Sequence, residues 1–450
     1  MPDTFREITS SIINQKKPYL IKFVLLIITI VAIFLAGSFL GPNFIFKDNP
    51  LSRTITGKAQ NRDKYMSFFF EVYDLVKQNY WNILTDEQLN DLVRQSIEKI
   101  VFTPLPVTPG KTQPLAKTLL EVTKDMNDGA KKEFYVKLAD TLLANLEPFG
   151  RSRLYSAKQT QDLSNTVKNI DPAKDRYGDL GVNKAATKEE IDNAFKQKEQ
   201  EVQREAPSPE KDEKLAEIQK SYEILNDRDT KKVYDESGVE PTFTYKIYYS
   251  SILYLQMSKF SPTSVQDMVR VADKANGNTK LDALIIDLRG NIGGLIDGIP
   301  YLLGPFIGND QYVYQFFNRG EKLDFKTKVG KIPSLARYKK VVVLIDGASQ
   351  SSAEVFASSL RKYNVGVLVG EKTKGWGTVE KVLNVNTQID SGEKYSVLLV
   401  HSLTLQEDGR PIEGNGVEPD INIKTPGWEK ALYERFNYQN LVNAVKELVS

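Results

Sequence analysis

The sequence predicts an α/β protein: a mixed β-sheet core with helices on its faces, preceded by helical segments and one apolar N-terminal helix. Two observations carry the core. LDALIIDL (281–288), VVVLI (341–345) and VGVLVG (365–370) are short, continuous apolar runs bounded by turn residues, the pattern of strands buried on both faces. The run SAEVFASSLRKY (352–363) is helical and lies between the last two, which makes a strand–helix–strand unit. A third observation covers the preceding region, where residues 45–165 place apolar and aromatic side chains mostly at helical spacing.

Taken in order, the chain begins with FVLLIITIVAIFLAGSFL (23–40), eighteen residues without a charge, after Arg6, Lys16, Lys17 and Lys22. That length approaches a membrane span, and the basic flank puts the start of the chain in the cytoplasm and residues 45–450 outside. The rival is a cleaved signal peptide, whose apolar core is normally shorter. Residues 1–44 are thus read as a cytoplasmic start and transmembrane anchor of a single-pass cell-membrane protein. In 45–165, a helical domain, SFFFEVYDLVKQNYW (67–81), DEQLNDLVRQSIEKIV (86–101) and KEFYVKLADTLLANL (132–146) are helices, with the Pro-rich loop TPLPVTPGKTQP (103–114) between. Beyond the core strands, YKIYYSSILYLQM (245–257) is strand-like and SVQDMVRVADKA (264–275) helical; 241–428 forms the α/β core and 429–450 a closing helix.

Composition excludes several functions. The 60 Lys and Arg against 58 Asp and Glu give a net charge of +2, so nothing favours nucleic acid as a partner. With no cysteine, disulfides, thiolate nucleophiles and Cys-based metal sites are absent, and no motif implies a metal or organic cofactor.

Between 166 and 240 the chain turns highly charged and helix-favouring. The words YGDLGV, IDNAF, IQKSYEILND and KKVYDESG occur in order over about seventy residues, around a Pro-containing turn, and resemble a J domain, the module that engages Hsp70 chaperones. The resemblance fails where that family carries His-Pro-Asp; here stands Gln203-Arg204-Glu205. A J-like fold kept for packing or protein contact is therefore expected, with no Hsp70 interaction.

Four further motifs, DLRGNIGG (287–294), DGASQSSAEVF (346–356), GEKTKGWGTVE (370–380) and DGRPIEGNGVEPD (408–420), resemble in order and spacing those of the carboxyl-terminal processing, or tail-specific, serine peptidases. EPFGRSRLYSAKQ (147–159) is similar to the stretch that precedes that family's PDZ domain, but no PDZ-like segment follows; the J-like module stands in its place. The resemblance implies an α/β (α+β) protease core and puts the nucleophile at Ser351. It implies an oxyanion hole from the Gly293 and Gly294 loop with the amide beside Ser351. A serine at the start of a helix suits that role, because free amides and the helix dipole favour developing negative charge. The same position also suits an N-cap serine, and Ser349 and Ser352 are neighbours.

Where the family carries its lysine base, this chain has Trp376. A serine hydroxyl needs a base to attack a carbonyl. Three candidates remain: Lys374, two residues away; Lys362, expected to face solvent; and His401, the sole histidine. GTVEKVLNVN (377–386) and EKYSVLLVHSLTL (393–405) predict a hairpin turning at 388–392. Centring it between Asp390 and Ser391 sets Glu380 opposite His401, with Trp376, Thr378 and Glu380 on one face. The expectation is a Ser351–His401–Glu380 triad whose imidazole titrates near the usual ~6–7, with Lys374 as the alternative base. A one-residue slip would turn His401 to the other face.

The function expected is a membrane-anchored serine endopeptidase that cuts extracytoplasmic proteins or peptides through an acyl-enzyme. The alternatives are a catalytically inactive pseudoprotease that binds peptides and a chaperone adaptor built on the J-like module.

Overall fold

The structure, a computed structural model, describes residues 63–105, 114–406 and 408–450. The apolar segment 23–40 lies outside the described residues. Among the described residues no helix is long and apolar enough to cross a membrane.

Helix Lys64–Asn79 starts at Asp63, whose carboxylate accepts from the Met66 amide at 2.8 Å. Helix Asp86–Val101 opens on a reciprocal Thr85–Gln88 capping box. Helices Leu115–Thr123 and Asp128–Ala144 follow. Their apolar stripes, among them Phe68, Phe69, Val72, Leu138 and Leu142, pack with Val397, Leu399 and Leu403 in one core. The helical segment therefore shares its interior with a strand near the far end of the chain.

The strands are β1 (Arg153–Ser156), β2 (Phe243–Tyr248), β3 (Ile252–Met257), β4 (Ala283–Asp287), β5 (Tyr312–Asn318), β6 (Glu321–Lys326), β7 (Lys340–Ile345), β8 (Val367–Gly370), β9 (Thr378–Asn384), β10 (Tyr395–Leu405) and β11 (Ile421–Asn422). One sheet runs β11-β8-β7-β4-β3-β2, parallel except for the β2–β3 pair. Alternate residues feed its two faces. Leu253, Leu255, Leu284, Ile286, Val343 and Ile345 meet helices Ser264–Asn276, Ile299–Ile307 and Ser352–Lys362. Ile252, Tyr254, Ile285, Val342, Leu344 and Val369 meet the C-terminal helices through Leu441, Val442 and Val445. The second sheet is antiparallel, with β10 pairing β1 and β5 as well as β9.

Two expected elements differ. The run 245–257 is not one strand but the β2–β3 hairpin, because Tyr249 and Ser250 take φ of 48° and 56° and reverse the chain without a glycine or asparagine. The closing helix is two, Trp428–Phe436 and Gln439–Val449, broken at the left-handed Asn437.

The J-like module comprises helices Arg176–Leu180, Lys188–Gln203, Pro209–Asn226 and Arg228–Ser237 around Tyr177, Leu180, Ile191, Ile218 and Leu225. Thr187 and Glu190 cap the second helix, and Ser208 with Pro209 at the first helical position starts the third. The stretch 203–205 closes on Lys211, whose Nζ donates to the carbonyls of Gln203 (2.8 Å) and Glu205 (2.7 Å).

Candidate active site

Strand β7 delivers the chain to the 346–351 turn, and the helix from Ser352 carries it away. Three serines stand at this junction. Ser349 Oγ donates to the Leu288 carbonyl at 2.8 Å, and Ser352 Oγ donates to the Gly294 carbonyl at 3.0 Å. Both hydroxyls are committed to holding the 288–294 loop. Ser351 Oγ is half-buried and donates no hydrogen bond among the described residues; its oxygen faces the Glu354 amide in the capping box that opens the helix. Its backbone sits at φ 57°, ψ −123°, a region that costs a non-glycine residue about 1–3 kcal/mol and that clusters at functional sites.

Gly293 lies directly on this serine. A methyl group there would stand 2.6 Å from Ser351 Cβ and 3.1 Å from Oγ, so only glycine fits. The Gly293 amide, however, donates to Asn291 Oδ1 at 2.8 Å. It is spent inside the loop. The amides of Gly294 and Ser352 have no partner among the described residues, which leaves them as the available donors.

Glu354 ties the serine to the 371–377 loop. One carboxylate oxygen accepts the Ser351 amide at 2.8 Å and the Trp376 amide at 2.9 Å; the other accepts Thr373 Oγ1 at 2.5 Å and the Gly375 amide at 2.8 Å. The side chain is fully buried, and burial raises its carboxyl above the ordinary range against the pull of these four donors. Trp376 is thereby held beside Ser351. Its indole Nε1 donates to Glu380 at 3.3 Å, and Thr378 Oγ1 donates to the same oxygen at 2.5 Å. Burial raises the Glu380 carboxyl too. Arg151 stacks its guanidinium 3.4 Å from the Trp376 ring centre and pairs with Glu413 at 2.9 Å, while Glu413 also accepts the Gly377 amide at 2.8 Å.

The expected bond between His401 and Glu380 is not formed. The arithmetic of the hairpin holds for Thr378↔Leu403 and Val379↔Ser402, but Glu380 pairs with Val400, and His401 falls in the register shift between. The cause lies in the helical segment: the Val400 carbonyl accepts from the Trp81 amide at 3.1 Å, and its amide donates to Ser152 Oγ at 3.1 Å. His401 instead has Lys381 Nζ at 2.9 Å from Nε2 and Ser402 Oγ at 2.8 Å from Nδ1, and the Asn318 amide reaches its ring and carbonyl. Lys381 follows Glu380 in an extended strand, so its partner His401 stands on the opposite face. Burial, then Lys381, lowers the imidazole to about 4, not the 6–7 expected. Of the other amines, Lys374 projects into solvent while its amide donates to the Ser349 carbonyl at 3.0 Å; Lys362 Nζ lies 5.8 Å from the Tyr363 ring centre.

Sequence reasoning placed no role on Arg151, Asn291 or Glu413, and used Glu354 only as a landmark. Arg151 and Glu413 lie inside motifs already singled out. Their pairing across 262 positions has no local signal. Among the described residues no group of three or more acidic or histidine side chains is placed to hold a metal.

A serine at a strained strand–helix junction, with glycine against it and free amides beside it, is an arrangement suited to serine-type peptide hydrolysis. Residues 251–423 match the model of peptidase family S41, and residues 175–235 match that of the DnaJ domain. The chain is similar to the carboxy-terminal processing protease CtpB of Bacillus subtilis, 23% identical over 416 residues, 88% of this chain and 76% of that one. It is also similar to the carboxy-terminal-processing protease of Bartonella bacilliformis, 25% identical over 412 residues, 89% of this chain and 84% of that one. Among solved structures, the photosystem II D1 C-terminal processing protease aligns over 81% of this chain and 94% of its own at 14% identity, with a TM-score of 0.48.

Proposed function

We propose that this protein is a serine endopeptidase anchored in the cell membrane by residues 23–40, which cleaves proteins outside the cytoplasm near their carboxyl ends. The observation that carries the reading is Ser351: its hydroxyl donates to no protein group, its backbone is strained, and its amide is fixed by Glu354. In the reaction Ser351 Oγ attacks the scissile carbonyl, and the amides of Gly294 and Ser352 face the oxyanion. The proton of Ser351 passes to a base and then to the leaving amine. Water next attacks the acyl-enzyme and releases the acid.

The base is assigned to Glu380. Its carboxylate accepts from the Trp376 indole, whose backbone amide shares an oxygen of Glu354 with the Ser351 amide, and a carboxylate raised by burial is a stronger base than an ordinary one. His401, on the other face and facing Lys381, is left a structural part, and Lys374 has no contact that aims it at the serine. No Hsp70 role is proposed, because the residues at 203–205 are not His-Pro-Asp.

A second reading, the pseudoprotease, is favoured by one observation: the Trp376 indole, covered by Arg151, occupies the family's lysine position. A fluorophosphonate probe with mass-spectrometric site mapping separates the two. Labelling at Ser351, with peptide hydrolysis lost in Ser351→Ala, supports the enzyme. Loss in Glu380→Gln with retention in His401→Ala and Lys374→Ala supports the base. Neither labelling nor hydrolysis on any peptide establishes the scaffold.

A further inference from the structure

The J-like module and the loop beside Ser351 share one segment of chain, 257–260. On one side this segment is zipped to the 288–295 loop. The Phe260 amide donates to the Gly293 carbonyl at 2.9 Å, and the Leu295 amide donates to the Phe260 carbonyl at 2.8 Å. Asn291 Nδ2 donates to the Met257 carbonyl at 2.6 Å, while its own carbonyl accepts the amide of Gln350, the residue before the nucleophile, at 2.9 Å. Gly293 and Gly294 are thus placed by 257–260 on one flank and by Ser351 on the other.

On its other side, Lys259 Nζ donates to the Thr166 carbonyl at 2.9 Å, at the end of helix Ala157–Lys168 that leads into the module. The same corner holds the path back out. The Glu240 amide donates to the Asn169 carbonyl at 3.1 Å, and Asn169 Nδ2 donates to the Glu240 carbonyl at 3.0 Å. The buried Glu240 carboxylate receives Arg176, itself 1% exposed, and Lys220, both at 2.6 Å. Arg176 also pairs with Glu217 of helix Pro209–Asn226, so the module's interior is fastened to the strand that leaves it. Two residues later the Ser258 amide donates to the Thr242 carbonyl at 2.9 Å. A continuous set of contacts, buried at Arg176 and Glu240 and partly open to solvent at Lys259, runs from the module core to the amides beside Ser351.

We propose that Lys259 is a positioning residue: by gripping Thr166 it couples the seating of the J-like module to the placement of the Gly293–Gly294 loop against Ser351. The inference rests on the peptidase reading above. The loop is exposed at Gly294 and has glycines at φ 85° and 128°, so its set position comes from these flanking bonds rather than from its own stiffness. A shift of about 1 Å in an oxyanion donor costs on the order of 10²-fold in rate. Losing one of several supports should release a part of that, about three- to thirty-fold.

The test uses the full chain in detergent and the second-order rate of fluorophosphonate labelling at Ser351, well below the unfolding temperature, with the kcat and KM of peptide hydrolysis. Lys259→Met should slow labelling and lower kcat by that factor with little change in KM. Lys259→Arg, which can still reach the carbonyl, should restore most of it. Asn169→Ala should act in the same direction from the other side of the corner. Lys232→Ala, on an exposed outer helix of the module, should have no effect. Labelling at the wild-type rate in both Lys259→Met and Asn169→Ala would overturn the coupling. A folded Lys259→Met in which KM rises and labelling is unchanged would also overturn it, as that pattern marks a substrate contact. A wild-type chain that is never labelled at Ser351 defeats the peptidase reading instead, so the two failures are distinct.

Discussion

Glu354→Gln isolates the link between Ser351 and the loop that carries Trp376. Four donors converge on the two carboxylate oxygens, two on each, and both oxygens are buried. An amide offers one acceptor and one NH2 group. Whichever way it turns, two donors meet another donor. A hydrogen bond to a charged group contributes about 1.5–3 kcal/mol, so losing two removes about 3–6 kcal/mol from the joint. If the Ser351 and Trp376 amides are the ones released, the loop opens locally. Hydrogen–deuterium exchange of the Gly375 and Trp376 amides reads this directly, because about 1.4 kcal/mol is tenfold. Their protection should fall by about 10²- to 10⁴-fold, with a parallel loss of Ser351 labelling. Protection within about threefold of wild type would refute the claim that this carboxylate holds the two loops together.

Other outcomes follow from the same geometry. Ser351→Gly should abolish hydrolysis yet raise stability by about 1 kcal/mol, since glycine accepts the 57° φ without cost; denaturant midpoints compare the two. Gly294→Ala should unzip the 257–260 segment, because the new methyl runs into the Phe260 carbonyl at a φ of 128°; a loss of about 2–4 kcal/mol and of labelling is expected. His401, the sole histidine, gives one imidazole signal by NMR, and its midpoint should lie near 4 rather than 6.5. Because the folded value is the lower one, stability tied to this group is complete above about 6.5 and declines as pH falls toward 4; His401→Gln should flatten that decline.

The parts of this molecule that depend on neighbours in sequence were legible from it. The buried strands around 285, 343 and 368 and the helix between the last two appear where their apolar runs put them. The J-like helices start at the cap residues that precede their periodic stretches. What failed was long-range. The hairpin register was right at Thr378 and wrong one turn of the pleat later, since Val400 gives its backbone groups to Trp81 and Ser152. A bulge imposed from another element leaves no mark in either strand. The Tyr249–Ser250 turn was missed for a local reason, as neither residue advertises a positive φ. Arg151 is the instructive case at the site. It lies within a motif, yet its contacts are with Trp376 and Glu413, more than two hundred positions away.

The ends of the J-like module meet as neighbours. Ile170 and Val239 form an antiparallel bridge, which brings their Cα atoms to about 5 Å. A gap that small can be closed by a two-residue turn, so the chain between could be cut out and the breach sutured with Asn-Gly without stretching either flank. In evolutionary terms this is a socket: any fold whose termini lie side by side can be spliced in, at little loop-closure cost to the host. A helical plug set into such a gap needs no redesign of the chain around it, only a corner at 166–170 and 239–242 able to hold it.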